Sequence, residues 1–208
     1  MSMATGSDLP RVVITGMGAV TCLGHDATST WEAMREGRSG IGPLEGEAFG
    51  RFGDAWASRV VGEAKGFDPT SRMEAREAKR LDRFTQFGMV AGAEAVEDAG
   101  LDFSSVDVER CGVVVGSGVG GIATIESGTH TLLERGPARM PPLTVPRLMV
   151  NAAGGNLAIK YGLQGPSGAH ATACASAGHA IADAASMIRL GRADVMLTGG
   201  TEAAITPI

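Results

Sequence analysis

The chain has 208 residues, 44% of them apolar, with a formal net charge of −5, enough for one large domain or two small ones with a sizeable core. Aromatics at 4% leave little for base-stacking platforms, and the negative balance argues against general nucleic-acid affinity. Cys22, Cys111 and Cys174 are odd in number with no C-x-x-C, the four histidines lack metal-ligand spacing, and no apolar run reaches membrane-spanning length; a cytoplasmic protein with no metal, cofactor or membrane partner is expected.

Residues 1–9 read as a disordered tail and residues 10–208 as one domain. The β-branched run Arg11–Thr15 predicts a strand that stops at Gly16-Met17-Gly18. Ala27–Glu36 predicts a helix capped by Asp26 or Thr28 and ended by Gly37. Residues 38–71 are rich in Gly and Pro and predict a long irregular connection, with one strand near Arg59-Val60-Val61. Helical pattern runs from Met73 to Ala99, with a break near Lys79–Leu81, and stops at Gly100.

Cys111–Gly116 (CGVVVG) is continuous and apolar, the pattern of a fully buried strand. Helices are predicted at Ile122–Glu134 and Pro146–Tyr161. A short strand precedes Cys174; a helix over Ala175–Leu190 and a strand over Asp194–Thr198 follow it. Strands alternating with helices imply an α/β fold with a mostly parallel sheet covered on both faces. The chain ends just after its last core strand and a Gly-Gly turn, which reads as a cut chain.

His170-Ala171-Thr172-Ala173-Cys174-Ala175-Ser176-Ala177-Gly178 sets a cysteine among small residues where a strand gives way to a helix. In parallel sheets reactive residues gather at such junctions. First-turn N–H groups and the positive helix end favour a thiolate there. A small buried thiol fits the same spacing, so both readings stand at this point.

His179 lies roughly 140° around a helix from Cys174 and so faces away from it. His170, four residues back along a strand, is ~13 Å off. His25 and His130 sit in distant elements. No local Cys-His pair is evident.

Gly116-Ser117-Gly118-Val119-Gly120-Gly121 satisfies G-x-G-x-x-G between a strand and a helix. The strand is not the chain's first, and no acid-ended strand follows at the expected distance. A tight loop shaping another pocket therefore ranks above a nucleotide site. Arg72, Arg76, Lys79, Arg80 and Arg83 recur at helical spacing as a basic stripe. Either it is an ordinary solvated face, or it docks an acidic partner.

RVVITGMGAVTCLG, GSGVGG, GPARMPPLTVPRLMVN, GLQGPSGAHATACASAGHAI and ADVMLTGGTEA, in this order, resemble the N-terminal half of a β-ketoacyl-[acyl-carrier-protein] synthase, most nearly type II, over almost all of residues 10–208. The resemblance implies a thiolase-like fold, here the N-terminal half of a layered αβαβα core, and a homodimer. It implies that Cys174 takes an acyl chain from acyl carrier protein as a thioester. Malonyl-carrier protein then loses CO₂ and adds two carbons. Cys174 N–H becomes one oxyanion-hole donor, and Val119, with Gly118 and Gly120, lines the acyl tunnel. Arg76, Lys79, Arg80 and Arg139 become the carrier-binding residues.

The family's two catalytic histidines, its lysine and the second oxyanion donor belong to the C-terminal half. This chain alone is therefore expected to load an acyl group without condensing it, and to be poorly soluble. His170 stands where the family usually has an apolar or small residue. A polyketide ketosynthase, or a non-catalytic partner subunit or fragment that only binds carrier protein, are the alternatives; Cys174 counts against the non-catalytic subunit.

Overall fold

The computed structural model describes residues 10–50 and 53–208, so the expected tail at residues 1–9 lies outside the described residues. In chain order the elements are α1 (Ala27–Arg35), β1 (Gly42–Pro43), α2 (Glu47–Gly50), β2 (Val60–Val61), α3 (Ala75–Ala78), α4 (Arg83–Asp98), β3 (Cys111–Gly116), α5 (Ile122–Arg135), α6 (Thr144–Leu148), α7 (Ala152–Tyr161), β4 (Ser167–Gly168), α8 (Ser176–Arg189) and β5 (Val195–Gly200).

β3 is the central strand because no residue in it needs water; all six are buried. It pairs in parallel with β4 on one side and β5 on the other. The β3–β5 register runs from Cys111 opposite Val195 to Gly116 opposite Gly200. Alternation along β3 sends Val113 and Val115 toward Gly154 of α7, and the next position, Gly116, toward Ser176 of α8. The sheet is thus covered on both faces, with α4 packed outside α7. Phe84, Met89 and Leu157 fill the core between α4, α7 and β3, each burial stabilising by about 1.5–3 kcal/mol.

Local signals set most boundaries. The Asp26 carboxylate caps α1 by accepting from Ser29 N at 2.6 Å. That bond holds its pKa below the ordinary carboxylate value. Gly37, at φ +69°, ends the helix. The long helix expected from Met73 breaks into α3 and α4 at Asp82, the N-cap of α4. The helix expected over Pro146–Tyr161 also divides, at residues 149–151. There the Leu148 carbonyl accepts from Gly121 N at 3.1 Å instead of continuing a helical ladder.

The strand expected at Arg11–Thr15 is not formed, and Val13 and Ile14 are exposed. The segment that follows lies along α4 and bonds to its side chains rather than to the sheet. Met17 N donates to Asp98 Oδ2 and Ala19 N to Glu94 Oε2, both at 2.9 Å. Gly16 and Gly18 permit the approach, since a Cβ on either would come within 2.2 Å of an α4 carbonyl oxygen. β4 is also shorter than expected, leaving His170 beyond the strand.

Candidate active site

The three parallel strands deliver their loops to one edge of the sheet. Ser117 N donates to His170 O at 3.0 Å and Thr201 N to Gly116 O at 2.9 Å, tying the loops after β3, β4 and β5 together. Cys174 sits in this cluster, in a 3₁₀ turn (Ala173–Ala175) that runs directly into α8. The residue before it, Ala173, has φ +51° and is the one non-glycine residue with positive φ among the described residues. An L-residue there costs about 1–2 kcal/mol. The Cys174 N–H has no hydrogen-bond partner among the described residues.

Exposure separates the three thiols. Cys174 is exposed, Cys22 is half-buried and Cys111 is buried. Burial raises the Cys111 pKa, and its Sγ donates to Asp107 O at 3.3 Å. Treatment of the folded chain with a limiting thiol reagent should therefore label Cys174 first, Cys22 more slowly and Cys111 only after unfolding. Peptide mapping checks the order, and early label on Cys111 would reverse it.

The glycine-rich loop lies against the cysteine turn. A Cβ on Gly118 would come within 3.2 Å of Ala173 Cα. Glu202, just past β5, occupies the loop's anion-binding side. Its carboxylate accepts from Gly118 N at 2.6 Å and Val119 N at 3.2 Å, and lies 3.2 Å from Ser117 Oγ. Gly120 N in turn donates to Ser117 Oγ at 3.0 Å. The amides that would cradle a pyrophosphate already hold an internal carboxylate. Val119 itself is 46% exposed at the loop tip. Sequence reasoning missed Glu202; the signal was an acid placed two residues after a Gly-Gly strand end.

The helical-period estimate for His179 assumed one helix through Cys174, whereas α8 begins at Ser176. His179 Nδ1 lies 2.7 Å from Thr172 Oγ1, so its ring reaches the loop that carries the cysteine. His170 Nε2 lies 3.2 Å from Asp183 Oδ2.

The basic stripe is pruned by the fold. Arg72 pairs with Glu97, and Arg83 lies against the Phe67 and Phe87 rings, 4.8 Å from each centroid. Arg76, Lys79 and Arg80 remain exposed, with no ion pair among the described residues. Arg76 and Arg80 line a cavity of about 670 Å³ with Leu143 and Pro146. Exposed Arg139 lies on the 3₁₀ turn shortly before Leu143. Among the described residues no helix is long and apolar enough to cross a membrane.

A family model for the β-ketoacyl synthase N-terminal domain matches residues 10–208. The chain belongs to the β-ketoacyl synthase family. It is 41% identical over 199 residues to 3-oxoacyl-[acyl-carrier-protein] synthase 2 of Synechocystis, covering 95% of this chain and 47% of that protein. It is 42% identical over 198 residues to the Vibrio cholerae enzyme of the same name, with the same two coverages. The chain thus spans about half the length of these curated relatives.

Among solved structures, it resembles the complex of a type II PKS acyl-carrier protein with its ketosynthase bound to the hexaketide. That match has a TM-score of 0.76 and 26% identity, covering 94% of this chain and 51% of that one. A β-ketoacyl synthase from Burkholderia phymatum matches with a TM-score of 0.74 and 26% identity, covering 87% of this chain and 44% of that one. The β-ketoacyl synthase fold is thiolase-like, and the parallel sheet between α7 and α8 is this chain's version of it.

Proposed function

We propose that residues 10–208 are the nucleophile-bearing half of a 3-oxoacyl-[acyl-carrier-protein] synthase of fatty acid elongation, with Cys174 as the acyl acceptor. The observation that carries the reading is an exposed thiol on a strained turn at the head of α8, pressed against the glycine loop. The thiolate attacks the carbonyl carbon of an acyl-carrier thioester. A bond to Cys174 Sγ forms, the carrier's thiolate leaves, and it recovers the proton that the cysteine gave up. The unpaired N–H of Cys174 is available to the developing oxyanion.

Malonyl-carrier protein then loses CO₂, and its carbanion attacks the Cys174 thioester. A carbon–carbon bond forms, the cysteine thiolate is released, and the 3-oxoacyl product is two carbons longer. By resemblance, the histidines that assist decarboxylation lie in the family's other half, so loading is the step assigned to residues 10–208. Val119, Gly118 and Gly120 would line the acyl pocket beside the nucleophile. Fatty acid elongation is preferred over polyketide synthesis because the curated relatives at 41–42% identity bear the name 3-oxoacyl-[acyl-carrier-protein] synthase 2.

Arg76, Lys79, Arg80 and Arg139 are proposed to dock the carrier protein, whose acidic surface complements exposed cations lacking internal partners. Reversing the charges of Arg76, Lys79 and Arg80 together should weaken carrier binding at least tenfold at low salt, with a smaller loss as salt rises. Titration calorimetry against acyl carrier protein measures it, and unchanged affinity would remove the docking assignment. The loading step itself is tested by intact mass after incubation with an acyl-carrier thioester.

A further inference from the structure

We infer that Thr172, Ser176 and His179 are positioning residues that clamp the left-handed turn at Ala173 and thereby fix where the Cys174 thiol is presented. The inference deepens, and rests on, the reading of Cys174 as nucleophile. An alanine at φ +51° does not hold that conformation by itself, and the turn is exposed on the side away from the glycine loop. One buried hydroxyl spans the strained residue. Thr172 N donates to Ser176 Oγ at 2.8 Å, and Ser176 Oγ donates to Ala173 O at 2.7 Å. Ser176 therefore holds the peptide unit that joins Ala173 to Cys174 and the one that precedes Thr172, bracketing the strained residue.

A second tether joins the Thr172 hydroxyl to His179 Nδ1 at 2.7 Å. Ser176, His179 and Asp183 fall at i, i+3 and i+7 on α8 and so share one face. That face lies under the segment 170–173. The His170 and His179 rings meet edge to face with centroids 6.1 Å apart, and His170 Nε2 lies 3.2 Å from Asp183 Oδ2. A polar stripe of α8 thus runs along the backbone that carries the nucleophile. If the clamp is opened, the turn relaxes and the thiol leaves its place at the head of the helix.

The test is the rate at which iodoacetamide carboxamidomethylates Cys174, followed by mass spectrometry in the full chain. Thr172→Val and His179→Ala each remove one partner of an exposed contact. Each should slow Cys174 about fivefold, the scale of a lost helix-terminus interaction, and the double variant should be no slower than either single one. His179→Asn, which keeps a polar atom near the Nδ1 position, should restore most of the rate.

Cys22 alkylation and the unfolding midpoint should not move in these variants. Wild-type rates in the single variants, or slowing that multiplies in the double, would overturn the clamp. Ser176→Ala should slow Cys174 similarly; if its burial prevents folding, the exposed pair decides. Alkylation needs neither acyl group nor carrier protein, so this result is independent of whether Cys174 accepts an acyl chain.

Discussion

Replacing Cys174 with alanine is expected to abolish the covalent adduct proposed to form between the wild-type chain and an acyl-carrier thioester. The effect should be complete rather than partial. The two remaining thiols are poorly placed to substitute: Cys111 is buried and bonded to Asp107 O, and a Cβ on Gly40 would come within 2.5 Å of Cys22 Sγ. The fold should be unaffected, because residue 174 is exposed. Intact mass should show one acyl group on wild type and none on Cys174→Ala. An adduct that survives the substitution would place the nucleophile elsewhere. No adduct on well-folded wild-type chain would sink the loading reading.

The largest loss of stability is expected from Asp82→Ala. Asp82 is 2% exposed, and its carboxylate serves two helices at once. As the N-cap of α4 it accepts from Phe84 N at 3.3 Å. It also accepts from Thr124 N at 3.0 Å, in the first turn of α5, and from the Thr124 hydroxyl. Gly121, the N-cap residue of α5, has no side chain to do this. Alanine removes a cap, costing about 1 kcal/mol, and strands a buried N–H and a buried hydroxyl at about 1–3 kcal/mol each.

The total, about 3–7 kcal/mol, is a large share of the roughly 5–15 kcal/mol that holds a domain together. Denaturant unfolding should show a lower midpoint with an unchanged slope. Asp82→Asn, which keeps an acceptor oxygen, should lose less. A midpoint within error of wild type for Asp82→Ala would mean that the two helix starts find other partners.

Much of the architecture was legible because burial leaves a periodic trace. The apolar run of β3, the Asp26 cap, the Gly37 stop and the extents of α5 and α8 are local events, decided within a few residues by side-chain chemistry and backbone freedom. The cysteine's position between a strand and a helix was legible for the same reason. Resemblance then connected it to an activity that spacing alone left undecided.

The failures have a common cause. Arg11–Thr15 has strand composition, but the amides just beyond it are bound by Asp98 and Glu94, 81 and 75 residues away along the chain. A five-residue basic stripe contracts to Arg76, Lys79 and Arg80 because Glu97 holds Arg72 and two phenylalanine rings hold Arg83. The contact of His179 with Thr172, across the 3₁₀ turn before α8, likewise leaves no trace in helical spacing.

The sequence by itself determined α1, α5, α8 and the buried strand β3, and which thiol stands at a strand–helix junction, since those depend on neighbours in the chain. Only the tertiary structure decided that Glu202 fills the glycine loop, that Asp82 starts two helices and that a buried serine steadies the turn before Cys174. The Glu202 and Thr124 contacts join groups 84 and 42 residues apart, and no local period records a hydrogen bond across that separation.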